Sequence, residues 1–153
     1  MNALAPLFNP DCIALDNPAK NRADAFAAAG KLFSKQVGIE ASSVIEFLNA
    51  REELGSTALG AGVAIPHGRV KGLKQPVAAL IRLRDPIEFA APDGEPVKTL
   101  IFLLVPEKAT QQHLEILSSI AQLLSDADVR ATLSSSTDTT QVCELLQHWG
   151  NTK

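Results

Sequence analysis

The sequence predicts an α/β sandwich: a mixed, mostly parallel sheet of about five strands with helices on both faces, in a single domain over 1–153. Three observations lead there. Apolar residues recur at helical spacing near both ends of the chain, while the middle carries short runs rich in Val, Ile and Leu. Those middle runs are apolar save for Arg82 and do not alternate, which is the pattern of strands covered on both faces. Finally, 153 residues suffice for one core of ordinary size and not for two.

The elements follow in order. From Asn21 to Val37, residues Ala25, Phe26, Ala29, Leu32 and Phe33 form one helical face, and Gly38 supplies the stop. A second helix begins near Ala41, places Val44, Phe47, Leu48 and Arg51 three or four residues apart, and ends at Leu54 with Gly55 as its C′ glycine. Arg51 thus lies in the last turn, where the helix dipole favours a cation. Glycines 55, 60 and 62, with Ser56 and Thr57 among them, break helical periodicity and predict a looped or bulged edge. Backbone N–H groups there can cradle an anion, but the stretch lacks the Gly-Lys-Ser/Thr ending of a nucleotide phosphate loop.

Val63-Ala64-Ile65 reads as a strand that stops at Pro66. Val77 to Leu83 and Leu100 to Val105, bounded by Pro76, Pro86 and Pro106, read as buried strands separated by a turn at Asp93-Gly94. Beyond them Thr110 caps a helix whose apolar face is Leu114, Leu117, Ile120, Ala121 and Leu124. A short helix from Asp126 to Leu133 follows, and Val142, Leu145, Leu146 and Trp149 mark a final one, with Trp149 packing and His148 exposed.

The chemistry concentrates at Ile65-Pro66-His67-Gly68-Arg69. Pro66 biases Ile65 towards extended geometry and has no N–H, so a histidine after it sits at the end of an apolar run and faces outward. Gly68 has no Cβ, so a partner can approach closely. A neutral imidazole so presented can be a base, a metal ligand or a nucleophile.

Composition narrows the partners. Hydrophobic residues at 46% and charged residues at 20% indicate a globular chain, and a net charge of −3 gives no general attraction to nucleic acid or an acidic membrane surface. Cys12 and Cys143 share no metal or redox spacing and read as buried apolar residues. The N-terminus has no basic segment leading an apolar core, and no run is long enough to span a bilayer, so a cytoplasmic protein is expected, monomeric or weakly dimeric.

The run from Arg51 to Gly68, Arg-Glu-Glu-Leu-Gly-Ser-Thr-Ala-Leu-Gly-Ala-Gly-Val-Ala-Ile-Pro-His-Gly, closely resembles the active segment of the IIA domains of the bacterial phosphoenolpyruvate:sugar phosphotransferase system, fructose/mannitol class. Leu103-Leu104-Val105-Pro106 followed by His113-Leu114 and Leu117 is similar to the second histidine segment of that class. Within it the chain most resembles the free-standing, regulatory nitrogen-type members, an expectation its length supports, since sugar-transporting IIA domains are often fused to transporter or other carrier domains.

The resemblance implies that His67 is phosphorylated through Nε2 by a phosphohistidine carrier of the HPr or NPr type. It makes Arg51 a charge stabiliser and His113 a second histidine lining the site. Gly68 and Arg69 amides, with Ser56 and Thr57 in the preceding loop, complete the expected phosphate-binding set. Phosphoryl transfer asks of a protein mainly an in-line nucleophile and relief of charge on the moving oxygens, so neither metal nor cofactor is expected. The protein would be a phosphotransferase component that is itself the phosphorylated intermediate, regulating partners that the sequence does not identify.

Three other readings stand beside this one. His67 and His113 could join Glu107 or Asp85 around a metal ion, although no His-Glu-x-x-His spacing is present. A histidine-based hydrolase would need Ser56, Ser118 or Ser119 as nucleophile, none of them in a Gly-x-Ser-x-Gly elbow. A sugar-specific IIA that passes phosphate to a IIB domain is the third.

Overall fold

The structure, a computed structural model, describes residues 4–108 and 110–149. Two 3₁₀ turns, Ala5–Leu7 and Pro10–Cys12, lead into β1 (Ile13–Asn17), α1 (Arg22–Val37) and α2 (Ala41–Glu52). Then come β2 (Ala58–Gly60), β3 (Val63–Ala64), β4 (His67–Val70), β5 (Val77–Ile87) and β6 (Val97–Pro106). Helices α3 (Thr110–Ser125), α4 (Ala127–Ser135) and α5 (Thr139–His148) close the described chain. None of the described helices is long and apolar enough to cross a membrane.

The sheet runs β1-β5-β6-β3-β2, with β4 also on β6. Pairing is parallel for β1–β5, β3–β6 and β4–β6, and antiparallel for β2–β3 and β5–β6. The α/β sandwich with a mixed, mostly parallel sheet is therefore the observed fold.

The runs are apolar at successive positions because both faces are covered. Along β5, Ala78 and Leu80 pack under α3, α4 and α5, while Ala79, Ile81 and Leu83 pack under α1 and α2. Along β6, Ile101, Leu103 and Val105 go to the first side, and Leu100, Phe102 and Leu104 to the second. Period-two alternation thus divides one apolar string between two cores, each apolar side chain worth roughly 1.5–3 kcal/mol when fully buried. Phe102 meets Phe26 of α1 edge-on, ring centres 5.9 Å apart. Arg82 is buried on β5 and donates to Asp16 on β1 (2.8 Å), to the Leu133 carbonyl (3.2 Å) and to the Ser136 carbonyl, tying the sheet edge to the end of α4.

Several boundaries differ from the sequence expectation. The strand expected to end at Pro66 is interrupted there and resumes at His67. Val63 and Ala64 lie beside Thr99 and Leu100, and His67 and Gly68 beside Leu103 and Leu104, so β3 and β4 keep one register along β6. Proline lacks only the donor, and its carbonyl still accepts from Leu103 N at 3.0 Å. The sheet thus has five ribbons drawn as a 6-stranded sheet, one ribbon being broken. Helix α2 ends at Glu52, so Gly55 is not its C′ residue; with φ 147° it belongs to the turn beyond. By contrast Gly38 closes α1 in the left-handed region at φ 76°. β1 was not expected, and β5 runs past Leu83 to Ile87. The capping role expected of Thr110 concerns a side chain outside the described residues. Cys12 and Cys143 are buried free thiols, Trp149 packs on the α5 side, and His148 is exposed.

Candidate functional site

Gly68 decides how closely α2 approaches the sheet. A Cβ built on it would stand 3.0 Å from the Phe47 carbonyl oxygen and 3.2 Å from the Phe47 carbonyl carbon, so helix backbone rests directly on β4. Arg51 follows Phe47 by one helical turn on the same face, which brings its guanidinium beside the residue preceding Gly68. The result is a cleft of about 400 Å³ lined by Phe47, Ala50, Arg51, Leu54, His67, Gly68, Arg69 and His113.

His67 opens β4 and is half-buried. Its Nδ1 lies 2.8 Å from the Ile65 carbonyl oxygen. A carbonyl only accepts, so this bond puts the ring proton on Nδ1 and leaves Nε2 with the free lone pair. Ile65 lies in the break between β3 and β4 and also donates its N–H to the Thr57 carbonyl at 3.1 Å. The break at Pro66 thus holds the imidazole by its backbone-facing nitrogen.

His113 enters from the first turn of α3, buried at 8% exposure, its ring centre 5.4 Å from that of His67 and nearly perpendicular at 80°. Arg51 donates from Nη1 to the Gly55 carbonyl at 2.8 Å. Both imidazoles titrate below the usual histidine value. For His67 the largest cause is burial; the bond to Ile65 opposes it, and the charges of Arg51 and His113 add to it. For His113 burial again leads, followed by the charges of Arg69 and Arg51. Two neutral imidazoles and two guanidiniums therefore share one cleft near neutral pH.

This has a consequence for stability. The unfolded chain takes up protons on both rings near pH 6.5, whereas the folded chain resists them until lower pH. The stabilisation from keeping the rings neutral is complete above that value and is lost as pH falls through it towards the depressed folded values. Thermal melts should show a midpoint that declines below about pH 6.5, and His67→Gln with His113→Gln should flatten that decline. Identical slopes in the native and doubly substituted chains would contradict the assignment.

Of the expected site residues, Arg51, His67, Gly68, Arg69 and His113 converge on the cleft. Ser56 and Thr57 do not line it. Ser56 Oγ donates to the Phe89 carbonyl at 2.8 Å and accepts from Ala58 N, and the Thr57 hydroxyl donates to the Glu52 carboxylate. Phe47, Ala50 and Leu54 are cleft residues that were not expected; Phe47 and Ala50 share one face of α2 with Arg51, a spacing that carried the signal, while Leu54 lies in the turn after the helix. Of the other readings, the metal and hydrolase ones gain nothing from the cleft lining. Glu107, Asp85, Ser56, Ser118 and Ser119 do not line the cleft, and no group of three or more His, Cys, Asp or Glu among the described residues could hold a metal ion.

Comparison with known proteins points the same way. Residues 6–149 match the family described as phosphoenolpyruvate-dependent sugar phosphotransferase system, EIIA 2. A nitrogen regulatory protein of Bradyrhizobium diazoefficiens is 35% identical over 143 residues, covering 94% of each chain. One of Pseudomonas aeruginosa is 51% identical over 96 residues, 63% of this chain and 62% of that protein. The crystal structure of nitrogen regulatory protein IIA-Ntr from Neisseria meningitidis superposes with a TM-score of 0.89 at 42% identity, covering 93% of this chain and 97% of that one. The matched span includes every residue of the cleft, and with the shared fold it places this chain in the EIIA type 2 family of the phosphoenolpyruvate-dependent phosphotransferase system, similar to its nitrogen regulatory members.

Proposed function

We propose that the protein is a phosphocarrier that takes a phosphoryl group on His67 Nε2 from a phosphohistidine carrier of the nitrogen phosphotransferase system, and that its phosphorylation state regulates cytoplasmic partners. The observation that carries this is the His67 imidazole, neutral, tied at Nδ1 to the Ile65 carbonyl and lining a cleft with two guanidiniums. The Nε2 lone pair attacks the donor's phosphorus in line. The donor's N–P bond breaks, the donor imidazole leaves with its electron pair, and the Nδ1 proton stays on its bond to Ile65.

Arg51 and Arg69 offset the charge on the phosphoryl oxygens, Arg51 with a planar fork of donors. His113 donates a further hydrogen bond to those oxygens, and the Gly68 and Arg69 amides complete the set. The added group brings roughly −1.5 to −2 units of charge at neutral pH. Beside a net charge of −3, that separates two surfaces a partner can distinguish, with differences of several kcal/mol where the cleft is buried on binding. The similarity to nitrogen regulatory proteins over most of their length supports regulation over sugar transport.

Incubation with phosphoenolpyruvate and the two upstream phosphotransferases should add one phosphoryl group by intact mass. No gain while the carrier itself is phosphorylated would refute the reading. Rapid onward transfer to a fructose- or mannitol-type IIB protein would favour the sugar-specific role.

A further inference from the structure

Glu52 is a carboxylate at 5% exposure, directly after Arg51 and outside the cleft. Burying such a group is costly unless its oxygens are satisfied, and here one residue satisfies both. Thr57 donates its N–H to one oxygen at 3.2 Å and its hydroxyl to the other. That closes residues 53–57 into a turn on the end of α2, with Leu54 N on the Arg51 carbonyl and Gly55 N on the Glu52 carbonyl, each at 3.1 Å.

Two threads leave this turn for the cleft. Through Gly55, whose carbonyl takes Arg51 Nη1 at 2.8 Å, it sets the guanidinium. Through the Thr57 carbonyl, which takes Ile65 N at 3.1 Å, it sets the residue whose own carbonyl holds His67 Nδ1 at 2.8 Å. The cation and the ring are thus referred to one anchor. We infer that Glu52 and Thr57 are a positioning pair for phosphoryl transfer, fixing Arg51 relative to His67 without touching the phosphoryl group. The inference rests on the reading of His67 as the acceptor.

Thr57→Val separates this role from general packing, because it keeps shape and both main-chain bonds and removes only the hydroxyl's hold on Glu52. With Arg51 released, its charge bears less on His67, so the imidazole titration followed by NMR in the unphosphorylated protein should move up towards the ordinary histidine value, in the direction Arg51→Gln moves it. Single-turnover labelling at saturating carrier should slow on the order of tenfold, with KM for the carrier unchanged. Thr57→Ser, which keeps the donor, should recover both readouts. Glu52→Gln, which can accept only one of the two bonds, should lie between, and it serves as the second probe should Thr57→Val melt below the assay temperature.

A folded Thr57→Val or Glu52→Gln with native titration and native labelling would overturn the inference, as would a change confined to KM or to thermal stability. The native chain separates the two claims. If a competent carrier fails to label it, the acceptor reading falls, whereas the titration shift still decides whether the pair positions Arg51.

Discussion

His67→Ala is expected to acquire no phosphoryl group under conditions that label the native chain fully. Among the described residues only the His67 ring has its Nδ1 placed on a main-chain carbonyl, which leaves its Nε2 unprotonated and fixed in direction. His113 lies at 5.4 Å between ring centres, near enough to contact the group but buried at 8% exposure, where a donor carrier reaches it less readily. His113→Ala should therefore still label, more slowly by roughly one to three orders of magnitude, as loss of a single charge-stabilising donor implies. Because His67 is half-buried at the start of β4, its truncation should change stability by about 1 kcal/mol or less. Intact mass and a melt on the same samples separate lost chemistry from lost fold. Undiminished phosphate on His67→Ala would place the acceptor elsewhere.

Arg51 works in two ways that reinforce each other. Its charge is among the causes that keep His67 from protonating, so the ring proposed as nucleophile stays neutral at neutral pH. On the proposed mechanism the same charge would then face the dianionic group formed on Nε2, where it is attractive. A lysine would supply the point charge but not the fork that can donate to Gly55 and to a phosphoryl oxygen together.

The long elements were legible because their signals are local. Helical spacing in α1, α3 and α5 and the non-alternating, largely apolar strings in β5 and β6 each report their own environment. β1 carries no such signal: its five residues alternate poorly in burial, Asp16 sits at φ 56°, and the strand is anchored by Arg82, far along the chain. Pro66 read locally as the end of a strand, yet the partner that continues past it is β6, and register with a distant strand is not written in the local sequence. The cleft divides the same way. Resemblance brought Arg51, His67 and His113 together, whereas spacing alone could not place α3 beside β4. Ser56 and Thr57 have the composition of an anion-binding loop, but their hydroxyls go to Phe89 and Glu52, partners that only the folded turn supplies.

Gly68→Val should cause the largest combined loss of stability and transfer of any single change in the cleft. The first atom of any side chain there would lie 3.0 Å from the Phe47 carbonyl oxygen, and the obstacle is helix backbone, which cannot rotate aside as a flexible side chain would. Valine adds two further carbons in a buried strand position, so α2 must move outward, at a cost of about 3 kcal/mol. Because Arg51 rides on that helix one turn beyond Phe47 and His67 rides on β4, the displacement separates the guanidinium from the imidazole. A misplacement on the order of 1 Å is enough to slow transfer about a hundredfold. Gly68→Ala, with one carbon at the same 3.0 Å contact, should show a smaller version of both losses. Denaturant melts and single-turnover labelling of the two variants at the same temperature should therefore fall together in the order native, alanine, valine. A valine variant with native stability and native labelling would mean that α2 does not rest on β4 at this glycine, and the account of how Arg51 reaches His67 would fail with it.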